Sequence, residues 1–543
     1  MKKSVESQII GVALSLPIAS ILIAVCAYSM PAIGNFDAWK ALFEAPNLSS
    51  AIRMTLWTGL ASTLLAWGLT AWLISQAFGK PWWAALVRKL GWLLAVPHAA
   101  FAVGFVFLIA PSGWFLRVLS PWLTGFEQPP QIATSQDAYG LGLIAMLIFK
   151  EVPFLLWAAA TQLQRDDTGA RWLRECQAAQ TLGYSASTAF WRVVWPQLSP
   201  RLLWPLLAVL AYGLTVVDAA LIAGPSSPAT LSVRAWQWLQ DSEEATNAQG
   251  AATGWLLTLI VASCAALMWA LSRLRSHTTG GDRGRDASRA FGYAVWLGLL
   301  IVYAAVLLAL AVGSVSGVWP FPALLPSNLS WEAWQSVASS SRSIGITLAL
   351  AVLSASIGLL WAVVWLEIAP PRWDAALRKL LYLPLLLPGV LWVVGLHRLA
   401  LHLQITGSFA GVLLAHVLAV LPYSLIALSP AYQGFDPRYG QISAALGKSR
   451  WQFLAQVKWP LLRQSLLATL AVGFAVSVAQ YLPTLYVGEG RYVTVTTEAV
   501  NLASGGQRSL VAAYAWLQWL LPALMFAAAA WLGRPRKFIH SAS

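Results

Sequence analysis

The chain has 543 residues, 58% of them hydrophobic and only 10% charged, where a soluble domain carries roughly a quarter charged. With a mean hydropathy of +0.65 and 31 tryptophans it falls in the membrane class, which excludes an ordinary soluble enzyme or binding module. The formal net charge of +14 raises nucleic acid as a partner, but the basic residues follow membrane topology instead of forming a patch.

Met1-Lys2-Lys3 precedes an apolar run from about Ile9 to Tyr28. The run is near the ~20 residues that cross ~30 Å of hydrocarbon and is longer than the core of a cleaved signal. A retained first transmembrane helix is expected there. Further apolar runs lie at 54–77, 90–110, 139–160, 202–222 and 253–273, then at 291–314, 343–367, 380–400, 410–430, 465–485 and 509–532. All are expected to be helices, since an open strand leaves its backbone groups unpaired in lipid. The expected fold is therefore all-α integral membrane, with about 12 transmembrane helices in two groups of six. A Gly-rich, charged stretch, "SRLRSHTTGGDRGRDAS" at 272–288, reads as a linker between them. The expected domains are 1–273, a linker at 274–290, and 291–543.

With the N-terminus placed in the cytoplasm, 26 of the 35 Lys and Arg residues fall in cytoplasmic segments, and the opposite orientation would put them outside. Both termini are thus expected to be cytoplasmic. The three cysteines, Cys26, Cys176 and Cys264, are widely spaced and form no ligand or disulfide pattern. No metal or acid/base cluster suggests catalysis, so no catalytic residue and no metal site is expected.

The two groups resemble each other. "VRKLGWLLAVPHAAFAVGF" (87–105) matches "LRKLLYLPLLLPGVLWVVGL" (377–396), pairing Pro97 with Pro388 and Gly104 with Gly395. Six spans per copy give both copies the same orientation, a parallel duplication with a pathway expected between them. Polar residues inside spans are its candidate lining. Lys150 and Glu151 lie mid-span, where ionised groups are costly and face a cavity or a partner. They point about 100° apart on the helix, so they do not neutralise each other directly. Asp218, His416, Gln480 and Tyr481 are further candidates, with helix-to-helix hydrogen bonding as the competing role for the last three.

The second repeated feature is polar. "QAAQTLGYSASTAFWRVVWP" (177–196) and "QISAALGKSRWQFLAQVKWP" (441–460) share seven of twenty positions, among them Gln177/Gln441, Gly183/Gly447, Ser185/Ser449 and Pro196/Pro460. Each glycine follows a run of helix formers, where a left-handed residue closes a helix. Each serine stands two residues later as the N-cap of a second short helix, and Gln452 completes a Ser-x-x-Gln capping box. The prolines interrupt that helix or open the next span. A matched helix, turn and helix on the cytoplasmic side of both copies suits docking to a two-fold partner.

This pattern resembles the E-A-A-x-x-x-G loop of permease subunits in binding-protein-dependent ABC importers. The whole chain is similar to two fused MetI-like (type I) permease domains, as in fused thiamine and ferric-iron importer permeases. Both copies depart from the pattern by carrying glutamine for its glutamate, and the second replaces Ala178 and Ala179 by Ile442 and Ser443. The resemblance implies that each loop seats in a groove of an ATPase subunit. Small residues such as Ala178, Ala179 and Ala444 would permit close approach, and Phe190, Trp191, Trp451 and Phe453 would act as anchors. It implies two ATPase copies, a periplasmic solute-binding protein, and an inward-moving small solute, with a thiamine-like one suggested by the fused thiamine permeases. ATP and Mg²⁺ would bind the partner subunits. No cofactor is expected here: "LGKSR" (446–450) lacks the glycine and the strand context of a phosphate-binding loop. An ion-coupled secondary transporter with six-plus-six repeats is the rival reading, with Lys150 and Glu151 its main support.

Overall fold

The computed structural model describes residues 5–165, 168–273, 289–503 and 505–534, and the expected linker lies outside them up to residue 288. The first copy contains α1 (Val5–Ser29), α2 (Leu48–Ala77), α3 (Trp82–Leu94), α4 (His98–Ile109) and α5 (Leu141–Leu163). It continues with α6 (Gly169–Thr181), α7 (Leu203–Thr215), α8 (Asp218–Ala223), α9 (Leu231–Leu239) and α10 (Glu244–Arg273). The second copy opens with α11 (Arg289–Ser314), α12 (Ser341–Ile368), α13 (Pro371–Leu381), α14 (Gly389–His402) and α15 (Phe409–Gln433). It closes with α16 (Arg438–Ala445), α17 (Arg463–Val478), α18 (Leu482–Gly488), α19 (Val495–Leu502) and α20 (Arg508–Leu532). Among the described residues the strand content is one isolated bridge, Ser316 with Leu329.

Among the described residues ten helical stretches, His98–Leu119 and Ala186–Thr215 included, are long and apolar enough to cross a membrane, and two bent pairs raise the count to 12 if each pair is one span. The bends measure 111° between Arg372–Leu386 and Gly389–His402, and 75° between Arg450–Leu461 and Arg463–Val478. Four of the expected spans are interrupted between helices. The runs at 90–110 and 380–400 break at Pro97 and Pro388, which stand at the N-caps of α4 and α14. Proline lacks the N–H that continues a helix and pushes its predecessor out of the helical region. The runs at 202–222 and 465–485 break after α7 and α17 instead.

Those later breaks expose carbonyls at membrane depth, which is tolerated only where protein groups satisfy them. Ser232 Oγ donates to Val216 O at 2.8 Å. In the second copy the Thr496 hydroxyl donates to Val478 O. The following segment is pinned in the same way twice. Leu231 N–H donates to Thr55 Oγ1 at 2.7 Å, and Val495 N–H donates to Thr347 Oγ1 at 2.9 Å. A pairing not apparent from the sequence thus repeats atom for atom.

Each copy is built on a packed trio, α2 with α5 and α7, and α12 with α15 and α17. The first helix of each copy leaves its own trio and packs on the other copy. Leu22 and Val25 of α1 join the core of α12 to α15, while Trp296, Tyr303 and Val306 of α11 join the core of the first copy. The matched glycines mark both crossings. A Cβ at Gly395 would lie 2.0 Å from Val25 O, and one at Gly104 would lie 2.8 Å from Val306 O. Only glycine permits that backbone approach, the small-residue logic of helix pairs in lipid.

Candidate functional site

In both loops the turn is the same. Gly183 has φ +91° and Gly447 has φ +73°. Gly183 N–H donates to Gln180 O and Tyr184 N–H to Ala179 O, at 3.0 and 3.3 Å. Gly447 N–H donates to Ala444 O and Lys448 N–H to Ser443 O, both at 3.0 Å. These are the paired bonds of a Schellman closure, which satisfy carbonyls that the helix end leaves open. Ser185 Oγ then accepts from Thr188 N–H at 3.2 Å and Ser449 Oγ from Gln452 N–H at 3.3 Å, each as an N-cap. The capping box at Ser449 forms, with Gln452 Oε1 accepting from Ser449 N–H at 2.9 Å.

After the cap both loops pass through a turn of π-helix, Phe190–Val194 and Leu454–Lys458. Trp195 N–H and Trp459 N–H reach back five residues, to Phe190 O and Leu454 O. The widened turn falls immediately before Pro196 and Pro460, which cannot donate. Gln177, Ala178, Gln441, Gly447, Ser449, Trp451 and Pro460 are exposed, as are Gly183, Trp191 and Pro196, while Ala179 and Ser185 are half-buried. Phe190 differs from the expectation of a docking anchor. It is 1% exposed and packs inside its own copy against Phe78 and Trp195, so it has no face left for a partner. Phe453 is half-buried against Phe435. Instead, exposed apolar side chains at matched positions, Leu182 and Leu446, crown the two turns. In α6, burial and the neighbouring Glu175 push the Cys176 thiol up to about 11, leaving it inert as a nucleophile.

The intramembrane polar residues divide into two groups. His416 is buried and tied on both ring nitrogens, to Ser477 Oγ at 2.7 Å and Thr484 Oγ1 at 2.9 Å. It bridges α15, α17 and α18 and presents no nitrogen to a pathway. Gln480 donates to Val476 O within its own turn at 3.0 Å, and the buried Tyr481 donates to Asn501 Oδ1 at 2.9 Å.

Lys150 and Glu151 point apart, as helical geometry requires. Lys150 Nζ donates to Val96 O at 2.6 Å, a carbonyl next to the Pro97 break, and lies 5.6 Å from the ring of Tyr303 on α11. Glu151 meets His98 Nε2 at 3.3 Å, and the His98 ring packs 4.5 Å from that of Tyr212. Asp218 at the start of α8 lies within electrostatic reach of His98 and of Tyr481 in the second copy, and Tyr212 within reach of Tyr423. His98, Tyr212 and Asp218 are half-buried and Tyr423 is exposed. His98 was not apparent from the sequence, because its relation to Glu151 spans 53 residues. Among the described residues no group of His, Cys, Asp and Glu side chains is arranged to hold a metal ion.

No family model matches the chain. Over 513 residues it is 37% identical to the inner membrane ABC transporter permease protein YnjC of Escherichia coli (strain K12), a match covering 92% of each chain. Over 214 residues it is 28% identical to the thiamine transport system permease protein ThiP of Brucella suis biovar 1 (strain 1330), covering 36% of this chain and 37% of that one. It is also 26% identical over 221 residues to a probable molybdenum ABC transporter permease protein of Haloferax volcanii, covering 39% of this chain and 80% of the other.

Proposed function

This chain belongs to the family of ABC transporter permeases, multi-pass proteins of the inner membrane, and we propose that it is the transmembrane subunit of a binding-protein-dependent importer. Both copies of the permease are carried on one polypeptide, and the termini and the two repeat loops face the cytoplasm. Each loop seats on one copy of a separate ATPase subunit, which holds ATP and Mg²⁺. The observation that carries this reading is the matched pair of Schellman turns and N-capped short helices, presented with exposed Leu182 and Leu446. ATP-driven closure of the ATPase pair moves the loops as rigid bodies, and the packed trios above them convert that movement into alternating access.

The pathway runs between the copies, past His98, Glu151, Tyr212 and Asp218. Two carboxylates with tyrosine faces nearby suit a small organic cation, and the thiamine permease relative makes thiamine the first solute to test. Lys150 holds the α3–α4 break in place and gates the pathway from its edge. His416 contributes by tying helices together.

The test is reconstitution with the ATPase subunit and binding protein in proteoliposomes, followed by uptake of radiolabelled thiamine. Uptake is expected to require ATP and to vanish when the ATPase phosphate-binding lysine is replaced. Accumulation driven by an ion gradient without the ATPase would replace this reading by ion-coupled transport. ATP-dependent uptake of other solutes, with thiamine excluded, would keep the importer and discard the solute.

A further inference from the structure

We propose that Glu367 is a positioning residue that makes the second repeat loop mechanically continuous with the membrane-spanning core. The role in transport rests on the importer reading above. Glu367 stands in the last turn of α12, an end where the helix dipole disfavours an anion. Its carboxylate is held there by partners from the repeat loop and from α15. Oε2 accepts from Lys458 Nζ at 2.8 Å and from the Tyr432 hydroxyl at 2.9 Å. Oε1 accepts from Arg450 Nη2 at 3.0 Å, and the same nitrogen approaches Glu367 O at 3.3 Å.

Arg450 begins the short helix after the turn, Lys458 ends the π-turn, and Tyr432 lies in the last turn of α15. One carboxylate therefore joins both ends of the loop helix to two members of the second trio. Lys458 Nζ sits 3.9 Å over the Tyr432 ring, and the Lys458 and Glu367 side chains are only 13% and 18% exposed. Screening by salt is weak at such burial, and charge-assisted hydrogen bonds are directional.

Alignment of the copies on their matched glycines puts Val194 and Ala186 where the second has Lys458 and Arg450. Alignment on Thr55 and Thr347 puts Ser75 where it has Glu367. In the first loop Trp172 Nε1 donates to Gln197 Oε1 at 2.9 Å, and Gln197 Nε2 donates to Glu175 at 3.0 Å. Displacement of the second loop therefore reaches α12 and α15 through fixed bonds.

The full chain in lipid nanodiscs, with its three cysteines replaced by serine, tests this with spin labels. Labels at Leu446→Cys and Leu360→Cys report the second loop against α12, and labels at Leu182→Cys and Leu65→Cys report the first loop against α2. Glu367→Gln is expected to widen the first of these distance distributions at least twofold and leave the other unchanged, with Glu367→Asp recovering most of the narrow distribution. A second pair, Leu65→Cys with Leu360→Cys, reads the coupled movement in the complex with the ATPase. Trapping with ATP and vanadate should shift that distance in the parent chain, and Glu367→Gln should abolish the shift while the ATPase stays bound. An unchanged width in Glu367→Gln, or a trapping shift that survives it, overturns the proposal. Failure of the parent chain itself to bind the ATPase would sink the importer reading, and the loop-to-α12 width would still decide whether Glu367 positions the loop.

Discussion

The two repeat loops reach one backbone shape by different means. The first has a buried apolar anchor: Phe190 and Val194 are 1% and 0% exposed, the rings of Phe78 and Trp195 pack on Phe190, and Trp67 packs on Trp195. The second is held by charge, with Leu454 as its buried apolar residue and the Lys458–Glu367–Arg450 cluster beside it. Burial is non-directional and tolerates sliding, while a carboxylate with three donors has one best position. Local turn chemistry therefore sets the shape of each loop, and the attachment below it is free to diverge.

The largest test of that difference is removal of the buried residue. Phe190→Ala opens a cavity in the first core and is expected to cost about 3–5 kcal/mol. Leu454→Ala at the matched position is expected to cost about 2 kcal/mol, because the ion cluster remains. Thermal unfolding in detergent measures both, and equal losses would erase the distinction.

Next in size is the charge itself. Lys458→Ala leaves Glu367 with Arg450, which is 52% exposed, so the expected loss is about 1–2 kcal/mol, below that of a fully buried pair. Val194→Ala in the first loop should cost a similar amount through lost packing. The two separate by conservative replacement: Lys458→Arg should keep most of the stability because the charge remains, while Val194→Ile should keep it through packing alone, as read from melting curves.

An effect of similar size should be shared by both loops. Gly183 and Gly447 have positive φ with no atom within 4 Å of an added Cβ, so an alanine meets only the left-handed backbone penalty. Gly183→Ala and Gly447→Ala are each expected to cost about 1–2 kcal/mol. Hydrogen exchange across the two turns checks that the costs agree, and a large inequality would show that the turns are not equivalent.

Much of the paired site was legible because its chemistry is local. A glycine after helix formers, a serine two residues on and a glutamine three beyond it specify the closure and the caps over a few residues. The attachments were not legible. Glu367 meets Arg450 and Lys458 across 83 and 91 residues, and His98 meets Glu151 across 53, with no spacing rule to join them. The breaks after Thr215 and Val478 were hidden for the same reason, since the hydroxyls that cap Val216 and Val478 arrive from the segments that follow. Phe190 misled because an aromatic beside a docking turn has the same one-dimensional pattern whether it faces a partner or its own core.

By itself the sequence determined a helical membrane protein with two capped turns of matching chemistry and, near Pro97 and Pro388, a glycine at the same spacing in each half. Apolar length and backbone chemistry are properties of short stretches, so they can be read without a neighbour. Only the tertiary structure decided that α1 and α11 each pack on the opposite copy. An apolar helix has no directional preference for one greasy surface over another, and the choice lies in shape. The notches at Gly104 and Gly395 admit the backbones of Val306 and Val25, and that fit exists only once both helices are in place.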